Sequence, residues 1–283
     1  MLDNWINEPA PSYGIVNISV ANMRQLPVHQ SELVNQVLLG TVLPVYEEQN
    51  DFYYIRNWDG YLGWLNKYAL TITDRKSAEK WQQAPRLVVS GNYGLISEGP
   101  NKSGEIISDL VPGAVLKKLS QNDYEARVEL PCGDTGYVDN HLLIEESVLQ
   151  QVSAAPERIT ALACRFRGIP YLWGGTSTKG FDCSGFVQTV FRLHNIWLPR
   201  NASQMARVGE EVSMARGFRD LKPADLLFFG KTLQRITHVA IYLGEQQFIH
   251  AEGIVKVNSL LPGTPRYNAY RHETLLKVMR VLG

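Results

Sequence analysis

The chain has 283 residues, 45% of them hydrophobic and 20% charged, enough for two or three domains with ordinary cores, which excludes wholesale disorder. Lys plus Arg and Asp plus Glu number 28 each, so there is no basic excess to neutralise phosphates, and nucleic acid and anionic membranes are excluded as main partners. No apolar run is long enough to span a bilayer, and three widely spaced cysteines (Cys132, Cys164 and Cys183) form neither a disulfide framework nor a CxxC metal pattern. That cysteine usage suits a reducing compartment. The start, Met1-Leu-Asp-Asn-Trp-Ile-Asn-Glu-Pro9, lacks a basic segment followed by an apolar stretch, so no signal peptide is expected. The expected location is cytoplasmic, or periplasmic or secreted if a leader has been trimmed away.

Up to about Leu143 the chain reads as short strands separated by turns. Val42–Tyr46, Phe52–Arg56 and Gly63–Leu65 are brief, rich in β-branched or aromatic residues and bounded by Gly, Asn, Asp or Pro. Asp59-Gly60 is a dipeptide of the kind that closes hairpins. The pattern occurs twice: Glu32–Gly40 is echoed by Glu105–Gly113, Asn50-Asp51-Phe52 by Asn122-Asp123-Tyr124, and Gly63-Trp64-Leu65 by Gly136-Tyr137-Val138. The interval from Gly40 to Gly63 equals that from Gly113 to Gly136, and two copies mean tandem domains and not a solenoid. The expected boundaries are 1–73, a charged linker 74–85 with one helical turn, and 86–146.

From 147 to 283 the pattern changes. Ile159, Leu162, Ala163 and Phe166 stand at helical spacing, closed by Gly168. A second helix runs from Cys183 to about His194, with Phe186, Val187, Val190 and Phe191 on one face. Strand-like runs follow at Asp225–Phe229, His238–Leu243, Phe248–His250 and Lys277–Leu282. Helices first and antiparallel strands after indicate an α+β domain.

The richest segment is Tyr171-Leu-Trp-Gly-Gly-Thr-Ser-Thr-Lys-Gly-Phe-Asp-Cys-Ser-Gly-Phe186. Asp182 is a natural N-cap, which puts Cys183 in the first helical turn among unpaired N–H groups and the positive end of the helix dipole. Both favour a nucleophilic thiolate, and the same N–H groups suit an oxyanion. Glycines 174, 175, 180 and 185 are expected to leave room for a substrate backbone. Cys164 and Cys132 read as inert, in a helix core and after a proline.

Of six histidines, His29, His141, His194 and His272 read as surface or capping residues. His238 interrupts an apolar strand, where an imidazole is costly unless partnered, and His250 follows on the next strand. The two share a sheet face only if the intervening loop has an odd number of residues or contains a bulge. We assign His238 as the general base towards Cys183 and His250 as its orienter, while spacing alone leaves the reverse order open.

These segments resemble the NlpC/P60 family of cysteine peptidases. The resemblance rests on Gly180-Phe-Asp-Cys-Ser-Gly-Phe186, Thr237-His-Val-Ala-Ile-Tyr-Leu-Gly244 and Phe248-Ile-His-Ala251, with lesser marks at Tyr171–Gly175, Leu198–Gln204 and Pro223–Phe229. The family's usual Pro-Gly-Asp is Pro-Ala-Asp here. The two repeats resemble bacterial SH3 (SH3b) domains, well in the first copy and weakly in the second, whose plainest reading is a β-barrel spacer. The resemblance implies a papain-like catalytic domain after two small SH3b-type β-barrels, and a triad of Cys183, His238 and His250. It also implies cleavage between γ-D-Glu and the diamino acid (L-Lys or diaminopimelate) of cell-wall stem peptides that keep a free N-terminal L-Ala, in murein peptide recycling. Substrate contacts are expected from Asp182 (towards the ammonium), Ser184, Trp173 and Ser203, and from Tyr61 and Glu32 of the first SH3b domain. An amidase or acyltransferase with the same Cys-His pair and a non-catalytic wall-binding protein are the competing classes. No HExxH or other metal spacing occurs, so no metal or other cofactor is expected.

Overall fold

The computed structural model describes residues 10–283. The opening segment 1–9, on which the signal-peptide expectation rests, lies outside the described residues. The chain forms two compact units, one through Gln151 and one over Val152–Gly283.

The first unit contains two seven-stranded antiparallel sheets, one from Ser12–Val16 to Leu70–Thr73 and one from Arg86–Val89 to Leu143–Glu145. Numbered within each sheet, the strands run in the same order, 3-2-6-5-4-1-7, so the repeat seen in sequence is a repeat of topology. Its glycines have the same duties in both copies. Gly40 and Gly113 take φ of 81° and 88°, open to glycine at no steric cost. A Cβ on Gly63 or on Gly136 would lie 2.9 or 2.5 Å from the neighbouring strand. The Asp59-Gly60 turn joins Phe52–Arg56 to Leu62–Asn66, with Arg56 opposite Leu62. The sheets pack on apolar cores, around Met23, Val37, Leu43 and Ile55 in the first, and around Leu87, Ile96, Leu116 and Val128, joined by Leu39, in the second.

The expected linker departs from its reading. Residues Arg75–Gln83 form a nine-residue helix, capped by the Asp74 carboxylate accepting from the Ser77 N–H at 2.7 Å. Ala78 and Trp81, three apart, are its buried positions, and the Trp81 indole donates to the Gly40 carbonyl at 3.1 Å. The short helix Glu146–Gln151 also belongs to this unit, because Glu146 takes a buried two-point ion pair from Arg86 at 2.7 and 3.0 Å.

In the second unit, helices Pro156–Arg165 and Cys183–Arg192 precede a six-stranded sheet. Leu226–Gly230, Ile236–Gly244, Gln247–Glu252 and Ile254–Ser259 follow one another across it, the last at its edge, with Leu275–Arg280 on the other side of Leu226–Gly230. The Cys183 helix packs Phe186, Val187 and Val190 on the face that carries Val239, Ile241, Ile249 and Ala251. Alternation sends His238, Ala240, Tyr242, Phe248 and His250 to the opposite face. No helix of the described residues is long and apolar enough to cross a membrane.

Replacing Trp81 by Ala should cost about 3 kcal/mol, since a buried aromatic is removed and the Gly40 carbonyl loses its donor. Urea unfolding followed by the fluorescence of the other tryptophans would measure it, and an unchanged midpoint would mean that the helix is only a tether.

Candidate active site

The Asp182 cap is in place. Its Oδ1 accepts from the Gly185 N–H at 2.7 Å, starting the helix at Cys183. The same carboxylate accepts from the Gly174 N–H at 3.0 Å, from the Ser184 hydroxyl at 3.2 Å and from both ends of the Arg200 guanidinium, through Nη1 at 3.0 Å and through Nη2. Arg200 is 3% exposed and also donates to the Ser184 hydroxyl at 2.9 Å. Five donors use the lone pairs of one carboxylate, and its charge is balanced within the protein. Asp182 thus anchors the helix start with Arg200 as its charge partner, so the expected contact with a substrate ammonium would be shared with that guanidinium. Arg200, inside the Leu198–Gln204 segment, is the partner that sequence reasoning passed over.

Two of the four glycines, Gly175 and Gly185, are corrected. A Cβ on Gly185 would sit 2.0 Å from the Gly175 carbonyl oxygen, and one on Gly175 would sit 2.2 Å from that of Gly180. At these positions glycine lets two stretches of the protein's own backbone touch, and no room is left there for a ligand.

The histidine hairpin meets the condition set by its spacing. Pairing of Ile241 with Ile249 and Tyr242 with Phe248 is followed by a register shift before Gly244. Continuing that register towards His238 puts His250 across from Ala240, hence on the same face as His238 and diagonal to it. His238 Nε2 and His250 Nδ1 are 2.8 Å apart, and His250 Nε2 is 2.8 Å from Asn258 Oδ1. The Asn258 amide N–H donates to the Arg266 carbonyl at 3.2 Å. That bond orients the series. The Asn258 oxygen accepts, so His250 carries its proton on Nε2 and accepts at Nδ1; His238 then carries its proton on Nε2, which leaves Nδ1 with the basic lone pair. Asn258, on the strand Ile254–Ser259, is a positioning residue that sequence reasoning missed.

Cys183, Tyr171 and His238 line one open cleft of about 340 Å³, together with Glu252, Tyr270 and Arg271. The Cys183 thiol lies 4.0 Å from the Thr237 carbonyl oxygen, its acceptor. Burial, then the Asp182 charge, push this thiol up to about 11, against the smaller pull of the Val239 and Ser184 N–H groups and Arg200. His238 is held well below the ordinary imidazole value, by burial first and then by Arg271, His250 and Lys256. His250 is pushed down to about 4, mainly by burial. Burial thus works against the standing thiolate expected from the helix dipole and favours the uncharged form of the thiol and of both imidazoles. Burial also lifts the Tyr171 phenol to about 12, so it remains a donor.

The other expected residues stand on several elements. Ser184 is buried beside Asp182, Trp173 is 61% exposed on the loop before Thr176, and Ser203 is exposed on the short helix Ala202–Met205. Tyr61 and Glu32 belong to the first unit: Tyr61 is half-buried against that unit's first core, and Glu32 is exposed. Cys132 is exposed and its thiol is raised by burial of the sulfur and by Asp134, while Cys164 is half-buried against the helix core. His194 caps its helix, with Nδ1 2.9 Å from the Val190 carbonyl.

The NlpC/P60 family profile matches residues 168–280, which include Cys183, His238 and His250. The chain carries an NlpC/P60 domain. A bacterial SH3 domain matches residues 19–71. Among curated proteins, a gamma-D-glutamyl-L-lysine dipeptidyl-peptidase of Bacillus cereus is 28% identical over 249 residues, 84% of this chain and 73% of that one. Dipeptidyl-peptidase 6 of Lysinibacillus sphaericus is 29% identical over 265 residues, 89% of this chain and 93% of that one. The crystal structure of an NlpC/P60 family protein from Bacillus cereus, 24% identical, superposes with a TM-score of 0.82 over 96% of this chain and 100% of its own, a likeness of fold. The chain is accordingly a cysteine peptidase of the NlpC/P60 kind, with an SH3b domain in its N-terminal part.

Two measurements check the NlpC/P60 site. With Cys132 and Cys164 replaced by Ser, the rate of alkylation of Cys183 by iodoacetamide should keep rising above pH 9; a plateau already reached at neutral pH would mean a preformed ion pair. Replacing Asn258 by Leu should lower kcat by roughly tenfold to a hundredfold with KM little changed, the range seen when the partner that orients a functional histidine is removed. Retention of full kcat would show that the imidazoles orient themselves.

Proposed function

We propose that the chain hydrolyses the bond between γ-D-Glu and the following diamino acid, L-Lys or diaminopimelate, in cell-wall stem peptides whose L-Ala has a free amine. The observation that carries this reading is the hydrogen-bonded series His238, His250, Asn258, which opens onto the same cleft as Cys183. It is supported by relatives named for γ-D-glutamyl-L-lysine cleavage, whose likeness extends over both units of the chain.

In the proposed reaction, His238 Nδ1 takes the Cys183 proton as Sγ attacks the γ-carbonyl carbon of D-Glu. Because both groups rest neutral, proton transfer accompanies attack. His250, held by Asn258, steadies the imidazolium that forms. The helix-start N–H of Cys183 and the Tyr171 hydroxyl are the donors we assign to the oxyanion. Collapse breaks the C–N bond, the His238 proton leaves with the amine of the diamino acid, and water then hydrolyses the thioester to release L-Ala-D-Glu.

For the fold we propose a papain-like catalytic domain and, in the second sheet, a divergent SH3b-type barrel. The amine of L-Ala is assigned to Asp182, with Glu32, Tyr61, Ser184, Ser203 and Trp173 as further substrate contacts on the resemblance to such enzymes. A requirement for a free amine excludes wall in which L-Ala is still amide-linked to muramic acid. It suits the recycling of released peptides in the cytoplasm.

Incubation with L-Ala-γ-D-Glu-L-Lys should release L-Ala-D-Glu, and N-acetylation should cost most of kcat/KM. Replacing Cys183 by Ala should abolish cleavage, with a loss of at least about a thousandfold. Acyl transfer without hydrolysis, or full activity of the Cys183→Ala chain, would refute the reading.

A further inference from the structure

The cleft has a charged side that the proposed reaction does not use. Arg271, on the short helix Ala269–Glu273, is 9% exposed and lines the cleft with Cys183 and His238. Its guanidinium lies 5.6 Å from the Phe229 ring centre and 5.2 Å from that of Tyr270. Nη2 donates to Glu252 Oε1, while Nε is buried with no acceptor among the described residues. An unmet donor on a buried cation is costly and uncommon in a folded protein. Glu252 is shared, since its other oxygen is 3.4 Å from Lys256 Nζ. Two cations around one carboxylate leave this side of the cleft with an excess positive charge.

The direction of the reaction decides what meets that charge. The proton from His238 goes to the departing amine, so the departing residue occupies the part of the cleft nearest His238, where Glu252 and Arg271 stand. We propose that Arg271, set by Glu252, is a subsite for a carboxylate of the departing diamino acid. This deepens the functional reading above and rests on it. The guanidinium fork suits a planar carboxylate, which would complete the donor set that Glu252 fills only in part. Two carboxylates have this chemistry, the main-chain terminus of a tripeptide and the side-chain terminus of diaminopimelate.

The test uses the full chain with Cys183→Ala and calorimetric titration of three peptides: L-Ala-γ-D-Glu-L-Lys, its C-terminal amide, and the diaminopimelate tripeptide amidated at its main-chain terminus. A main-chain subsite makes the lysine acid bind about tenfold tighter than its amide. A side-chain subsite gives that gap to the diaminopimelate amide and leaves the two lysine peptides equal. In either case Arg271→Gln should erase the gap, Arg271→Lys should keep part of it, and Glu252→Gln should widen it by releasing the guanidinium. Equal binding of all three peptides, binding of none, or a gap that survives Arg271→Gln in a chain with native circular dichroism would overturn the subsite. The functional reading fails on a separate result, namely that the chain with Cys183 intact releases L-Ala-D-Glu from none of the three.

Discussion

The buried pair between Asp182 and Arg200 is the contact on which the catalytic unit depends. One carboxylate starts the Cys183 helix, holds the Gly174 amide and receives a two-point guanidinium, all out of water. Bringing both ions inside carries a large desolvation cost, offset by the five donors on the carboxylate and the two-point contact of the guanidinium. Such a pair adds little net stability over an apolar substitute. Its effect is positional, because it ties the glycine-rich loop, the helix start and the segment after Pro199 to a single point, so the sulfur has one location relative to the strand at Thr237.

Polarity is the second property built into the domain. Identical rings in contact have no intrinsic preference for which one holds the shared proton. The Arg266 carbonyl supplies that preference through Asn258, and the choice passes along two imidazoles to the nitrogen that is left to act as base. A neutral asparagine does this without adding charge. A carboxylate in its place would favour imidazolium and work against the low proton affinity that burial and Arg271 give to His238.

Much of this was legible in the chain because the signals are local. An Asp before a Cys that opens an amphipathic run marks a capped helix, and a His inside Val-Ala-Ile-Tyr-Leu marks a strand with a task. The repeat of Gly40 and Gly63 in Gly113 and Gly136 foretold two sheets of one topology. What escaped was tertiary. Arg200, Asn258 and Arg271 acquire meaning only from partners brought to them by folding, and none stands out in its own segment. Gly175 and Gly185 were misjudged because sequence shows an absent side chain but not which backbone fills the space. The state of the thiol was half legible, because a helix dipole can be read from a pattern while the opposing desolvation cannot. In Arg75–Gln83 the charged residues masked the spacing of Ala78 and Trp81.

The irregular pairing between Tyr242 and Gly244 bears on how this protein can change over generations. Side chains on a strand point alternately up and down, so adding or deleting one residue at that corner would turn His250 towards the helix-packing face while leaving the rest of the sheet intact. Loops elsewhere on the surface can lengthen or shorten at small entropic cost. This one is held to its length by chemistry, and drift there should proceed by exchange of residues and not by insertion or loss.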